Sequence, residues 1–148
     1  MRKEALVAHL NATLEQRAAQ LKAELAATLE ARNSDTKSSA GDKHEVGRAM
    51  VQQELDQLEG RLVTVLSMQQ ELARVPLDRI YQRAGFGSLV HTDRDRYFIA
   101  IPLGAVELEG GTCYVVSIAS PIGRALMDRS VDEVINFNGK RIAITAIS

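Results

Sequence analysis

From Lys3 to Arg32 the chain contains neither glycine nor proline, and alanine, leucine, glutamate, glutamine, lysine and arginine dominate it. That composition predicts a long helix, because these side chains lose little conformational freedom in one. Val7, Leu10, Leu14, Ala18, Leu21, Leu25 and Leu29 recur at steps of three and four, which draws one apolar stripe along it. The segment Asn33 to Asp42 then breaks the pattern with Asn, Asp, Thr, Ser and Gly, the residues of turns. A second helix is expected from about Glu45 to Val75. Its seam of Val51, Leu55, Leu58, Leu62, Val65, Gln69 and Leu72 follows heptad spacing with one polar interruption. Two such helices joined by a short polar turn cover each other's stripes by folding back antiparallel. At 1.5 Å per residue the second would extend roughly 45 Å, placing the turn far from the rest of the protein.

Pro76 ends this pattern. Leu77 to Arg83 is read as a short helical segment. Beyond Gly85-Phe-Gly87 the period changes, and Ser88 to Thr92, Arg96 to Ile101, Thr112 to Ala119, Val134 to Phe137 and Lys140 to Ile147 read as strands rich in Val, Ile and aromatics. Asn138-Gly139 is a hairpin-turn signal between the last two. Pro121 to Met127 reads as a short helix, with Ser120 as N-cap and Pro121 at the first helical position. The expected fold class is therefore α+β: an antiparallel two-helix hairpin over residues 1–75, then a small antiparallel sheet domain over residues 76–148.

Charge narrows the function. Through Val75, ten Lys and Arg stand against eleven Asp and Glu, and from Pro76 onward the balance is eight against eight. Neither half is the basic body that grips duplex DNA through its phosphates, so any route to nucleic acid runs through a protein partner. The single cysteine, Cys113, allows no disulfide within the chain and lies in an apolar run, where a buried strand thiol is expected. No signal-peptide core or membrane-spanning stretch is read, and a reducing cytoplasm is the expected compartment.

Gly41-Asp-Lys-His-Glu45 is where chemistry would concentrate. Two carboxylates, Asp42 and Glu45, stand three residues apart at a helix start. They could converge on a hard cation such as Mg²⁺, which takes oxygen ligands and keeps several waters. The same spacing is also a capping box, with Asp42 accepting from the backbone of Glu45 and Glu45 reaching back. The two readings differ in where the carboxylate oxygens point. His44 lies between the two acids, and Lys37, Lys43 and Arg48 surround them with mixed charge. Ser38 and Ser39 lack a histidine and buried carboxylate placed to activate them.

The order of a two-helix hairpin, an acidic turn Gly41-Asp42-x-x-Glu45 and an α/β domain containing Ser120-Pro-Ile-Gly-Arg-Ala-Leu126 resembles the Gre transcript-cleavage factors of bacterial RNA polymerase. The similarity extends over nearly the whole chain. Its most specific element is the Ser-Pro-Ile-x-Arg-Ala-Leu stretch, followed by Val131-Asp-Glu-Val134 and a terminal hairpin. The resemblance implies an FKBP-like second domain that docks at the rim of the polymerase secondary channel, with Ser120, Pro121, Ile122 and Arg124 as partner-binding residues. It implies a coiled coil passing down that channel to the RNA 3′ end, where Asp42 and Glu45 help hold a second Mg²⁺ shared with the polymerase. The catalytic work of these two residues would then occur only in the polymerase active site, and the chain would not be an enzyme alone. It also implies a free protein that is a monomer, with no tightly bound cofactor and no membrane partner. The tip departs from the family after Glu45: Val46-Gly-Arg-Ala49 stands where Asn-Ala-Glu-Tyr is usual.

Three other functions fit parts of this pattern. A regulator of the same architecture would occupy the channel and inhibit or modulate the polymerase without cleavage. A peptidyl-prolyl isomerase or chaperone would need an aromatic-lined pocket, and the chain has no Trp, three Phe and three Tyr. A plain coiled-coil adaptor would use the leucine seams for packing alone.

Overall fold

The structure is a computed structural model that describes residues 1–35 and 42–148, without the side chains of Asp35, Asp42, Lys43 and His44. Helix α1 spans Lys3–Asp35 and helix α2 spans Asp42–Ala73. The chain divides into two compact units: Met1–Leu10 together with Gln70–Ser148, and Asn11–Gln69.

Within the second unit the two helices run antiparallel. Arg17 and Leu21 of α1 share a groove with Thr64 and Met68 of α2, whereas Arg32, further along α1, bonds to Gln52, earlier in α2. Leu14 and Ala18 are buried on α1, and Leu55, Leu58, Val65 and Met68 on α2, as heptad-like spacing requires. Met68 takes a buried place beside Gln69, so the polar interruption of the seam leaves no gap in its apolar side. Burial fades toward the connection. Leu21 and Leu25 are half-buried, while Leu29 is 41% exposed and Met50 66%.

The first unit holds the sheet. Strands β1 (Leu89–Thr92), β2 (Arg96–Ile99), β3 (Gly104–Leu108), β4 (Gly111–Val116), β5 (Val134–Phe137) and β6 (Lys140–Ile147) are arranged in the order β3-β4-β2-β1-β6-β5. Four of the pairings are antiparallel, but β2 and β4 are parallel, with Tyr97 opposite Tyr114. The sheet is therefore mixed, where the sequence suggested an antiparallel one. The physical reason is β3, which the sequence reading passes over. After β2 the chain reverses into β3 at the edge, then hairpins at Glu109-Gly110 and returns as β4 in the space between, heading the same way as β2. The Asn138-Gly139 turn forms as expected, with both residues in the left-handed region, at φ 50° and 75°.

Adjacent residues Leu89 and Val90, and Phe98 and Ile99, are all fully buried, so the central strands are covered on both faces. One face carries a cluster of Val90, Ile99, Ile135, Ile142 and Ile144 that packs with Leu126 of helix α3 (Pro121–Leu126). In the same unit Leu6, Leu10 and Leu72, from the ends of α1 and α2, are fully buried. Residues 77–83 are not helical. Val75 and Tyr81 are buried, and the Ala84 amide and carbonyl bond to Arg129 and Asp128, which anchors this stretch as a strap rather than a turn of helix.

Candidate functional site

The connection between α1 and α2 carries the first set of candidates. Helix α2 begins at Asp42, so Asp42 and Glu45 lie one turn apart within the helix, the i,i+3 spacing that brings two positions onto neighbouring parts of one face. Glu45 is exposed. The Asp42 and His44 side chains lie outside the described residues, as do Lys37, Ser38 and Ser39. The direction of the Asp42 carboxylate, which separates a cap from a ligand pair, is thus outside the description as well. Nearby, Arg32 Nη1 donates to Gln52 Oε1 at 3.1 Å, tying the two helices together, and Arg32 and Arg48 share a shallow cleft with Asn33, Ala49 and Gln52.

Two carboxylates are hard-oxygen donors of the kind Mg²⁺ accepts, but an ion normally bound through six oxygens would draw most of its shell from elsewhere. Among the described residues, no group of three or more His, Cys, Asp or Glu is placed to hold a metal.

The second set lies around α3, and here the local fold explains the motif residue by residue. Ser120 caps the helix: its Oγ accepts from the Gly123 amide at 3.0 Å and donates to the Ser117 carbonyl at 2.8 Å. Pro121 occupies the first turn, where its missing N–H leaves no bond unmade. A Cβ on Gly123 would stand 2.1 Å from the Ser117 carbonyl oxygen, so only glycine fits there. Leu126 is fully buried and Ile122 packs against the same core. That leaves Pro121 and Arg124 exposed. Of the residues given a partner-binding role by the resemblance, Ser120 and Ile122 therefore have structural duties, while Pro121 and Arg124 face outward.

Cys113 is buried in β4, and burial pushes its thiol up to about 11. A thiol held protonated in this way is a poor nucleophile. His91, half-buried on β1, is pushed below its ordinary value by burial and then by the neighbouring positive charges of the N-terminal amine and Arg96. A cluster the sequence reading missed joins the start of α1 to the strap: buried Lys3 donates to the Gly87 carbonyl at 3.2 Å and lies 4.5 Å from the Tyr81 ring centroid. Burial pushes Lys3 downward, with Glu4 partly opposing. An isolated lysine near a chain start carries no signal of this in sequence.

No family model matches the chain. No curated protein matches it either. Among solved structures, the chain is similar to one described as the transcription factor Gfh1, with 20% identity, 93% of this chain and 92% of that chain covered, and a TM-score of 0.37. Among the described residues, no helix is long and apolar enough to cross a membrane.

Proposed function

We propose that this chain is a Gre-like factor that binds bacterial RNA polymerase, docks an FKBP-like sheet domain at the rim of the secondary channel, and modulates the enzyme by occupying that channel with its helical hairpin. The observation that carries this reading is the pair of antiparallel helices of 33 and 32 residues, separated by only residues 36–41, with Asp42 at the head of the second. That is the arrangement a pore-entering hairpin needs: two long continuous helices with two carboxylates, Asp42 and Glu45, at the head of the second. Support also comes from the Ser120-to-Leu126 stretch, which matches the family's Ser-Pro-Ile-x-Arg-Ala-Leu pattern and forms a helix capped by Ser120. The departure at Val46-Gly-Arg-Ala49 favours occupancy over cleavage, because it replaces the residues that follow the tip glutamate in cleavage factors.

A second reading, stimulation of hydrolysis in backtracked RNA, is favoured by the one-turn spacing of Asp42 and Glu45. A Mg²⁺ shared with the polymerase would supply Lewis-acid activation of water and stabilisation of the leaving oxygen. Asp42 and Glu45 would contribute oxygen ligands and orient water, and the scissile bond would belong to the polymerase. On either reading the chain acts on another enzyme's reaction.

Stalled, backtracked elongation complexes separate the two. Occupancy predicts slower nucleotide addition, unshortened RNA, and an effect that largely survives Asp42→Ala with Glu45→Ala. Cleavage predicts shortened RNA that the double variant abolishes. A protein that neither associates with core polymerase nor changes elongation would overturn both.

A further inference from the structure

The strap between α2 and the sheet has features that folding alone does not require. Ile80 is 86% exposed and Leu77 44%, three residues apart in a segment that is neither helix nor strand. Isolated exposed apolar side chains are ordinary. Ile80, however, is held out on an anchored support. Tyr81, next to it, is buried; its hydroxyl donates to the Phe86 carbonyl at 2.8 Å, and its ring lies 4.5 Å from the Lys3 ammonium and 4.7 Å from the Arg79 guanidinium. Val75 is buried on one side of the strap, and Ala84 is bonded through both backbone groups on the other.

Ile80 lines a cleft of about 650 Å³ whose wall also includes Arg74, Arg79, Arg83 and Met127, with Asp128 as its one carboxylate. Arg74 is shared with Glu71 at 3.6 Å, in a pair exposed enough to exchange partners. Arg83 is exposed. Among the described residues, no backbone-to-backbone hydrogen bond involves positions 77–83, which bend at 77–78 and 82–83. Guanidiniums select carboxylates through paired, charge-assisted hydrogen bonds.

We propose that this cleft binds an extended acidic segment of a partner protein, which seats an apolar side chain against Ile80 and places carboxylates on Arg79 and Arg83. Three arginines against one carboxylate in the cleft wall select an acidic occupant, and exposed Ile80 selects a peptide over a nucleic-acid strand, whose phosphates would use the arginines and leave Ile80 unpaired. The strap is anchored at Val75, Tyr81 and Ala84, which limits the conformational freedom it can lose on association. The proposal stands whichever protein carries the segment, and it is distinguishable from the polymerase reading because its probe is a peptide.

The test uses the full chain and a fluorescent peptide of alternating Glu and Leu residues, with two controls: the same peptide with Lys in place of Glu, and a single-stranded RNA. The expected result is saturable binding of the acidic peptide alone, weakened by added salt and by roughly tenfold in Ile80→Asp with Arg83→Glu. Both positions are exposed, and an unchanged thermal midpoint confirms that the variant folds. Equal binding of the acidic peptide by wild type and variant would overturn the proposal. So would binding of the RNA in preference to the peptide.

Discussion

The two units of this protein cover their apolar side chains to very different degrees. In the unit containing the sheet, Leu6, Leu10, Leu72, Phe98, Ile101 and Leu126 are fully buried, and the central strands are covered on both faces. In the helical unit, burial is confined to a single stripe that thins toward the connection, where Leu29, Val46 and Met50 are exposed. A pair of helices can bury only the faces they share, whereas a sheet with helical elements on it encloses side chains from three dimensions. The difference teaches that stability and presentation are assigned to separate parts of the chain. Regions with few buried apolar contacts are also those that open at the lowest free energy.

The largest effect that could break this comparison is truncation of the sheet unit's core. Leu126→Ala should destabilise the protein by about 2–5 kcal/mol in denaturant unfolding, because a fully buried leucine leaves a cavity. Val63→Ala, at a position 65% exposed on α2, serves as the opposite pole and should change stability by less than about 0.5 kcal/mol. Equal losses from the two would contradict the difference in burial between these positions.

The next effect is pH-dependent and belongs to the sheet unit. The Cys113 thiol rises from 9.0 to about 11 on folding, so between those values the native state holds a proton that the unfolded chain has released. Stability from this group is complete below about pH 9 and declines by roughly 2–3 kcal/mol as pH climbs through the folded value. Lys3, pushed downward by burial, titrates with the opposite sign, but it is common to wild type and Cys113→Ala and cancels between them. Urea midpoints of the two proteins across the alkaline range should therefore converge as pH rises.

Smaller again are the changes at α3. Gly123→Ala forces a methyl group against the Ser117 carbonyl and should cost roughly 1–3 kcal/mol. Ser120→Ala removes the cap and should cost about 1 kcal/mol. If these variants bind polymerase weakly, restoration of binding by Ser120→Asp, which keeps a cap, would assign the loss to helix geometry. Arg124→Ala leaves the fold nearly untouched at an exposed position, so a binding defect there would be a contact defect.

Much of the architecture was legible in the chain because it rests on local rules. Helix-forming composition and the turn formers of Asn33 to Asp42 bounded the facing helix ends to within three residues, Arg32 against Asp35 and Glu45 against Asp42. Asn138-Gly139 announced its hairpin, and Ser120-Pro121 announced a capped helix. The β3 strand escaped because its turn places Glu109, rather than Asn or Asp, in the first left-handed position, and its side chains are largely exposed. Residues 77–83 read as helical in sequence but form a strap, because its anchors, Arg129 for Ala84 and Lys3 beside Tyr81, are distant along the chain.

The candidate sites divide along the same line. By itself, the sequence determined that Asp42 and Glu45 stand one turn apart at a helix head and that Ser120 to Leu126 forms a capped helical motif, since both are consequences of spacing within a few residues. Only the tertiary structure decided that Gly123 must be glycine, that β4 runs parallel to β2, and that Ile80 stands out over an arginine-lined cleft. These depend on which distant backbone atoms come within a few ångströms of one another, and no periodicity along the chain encodes that.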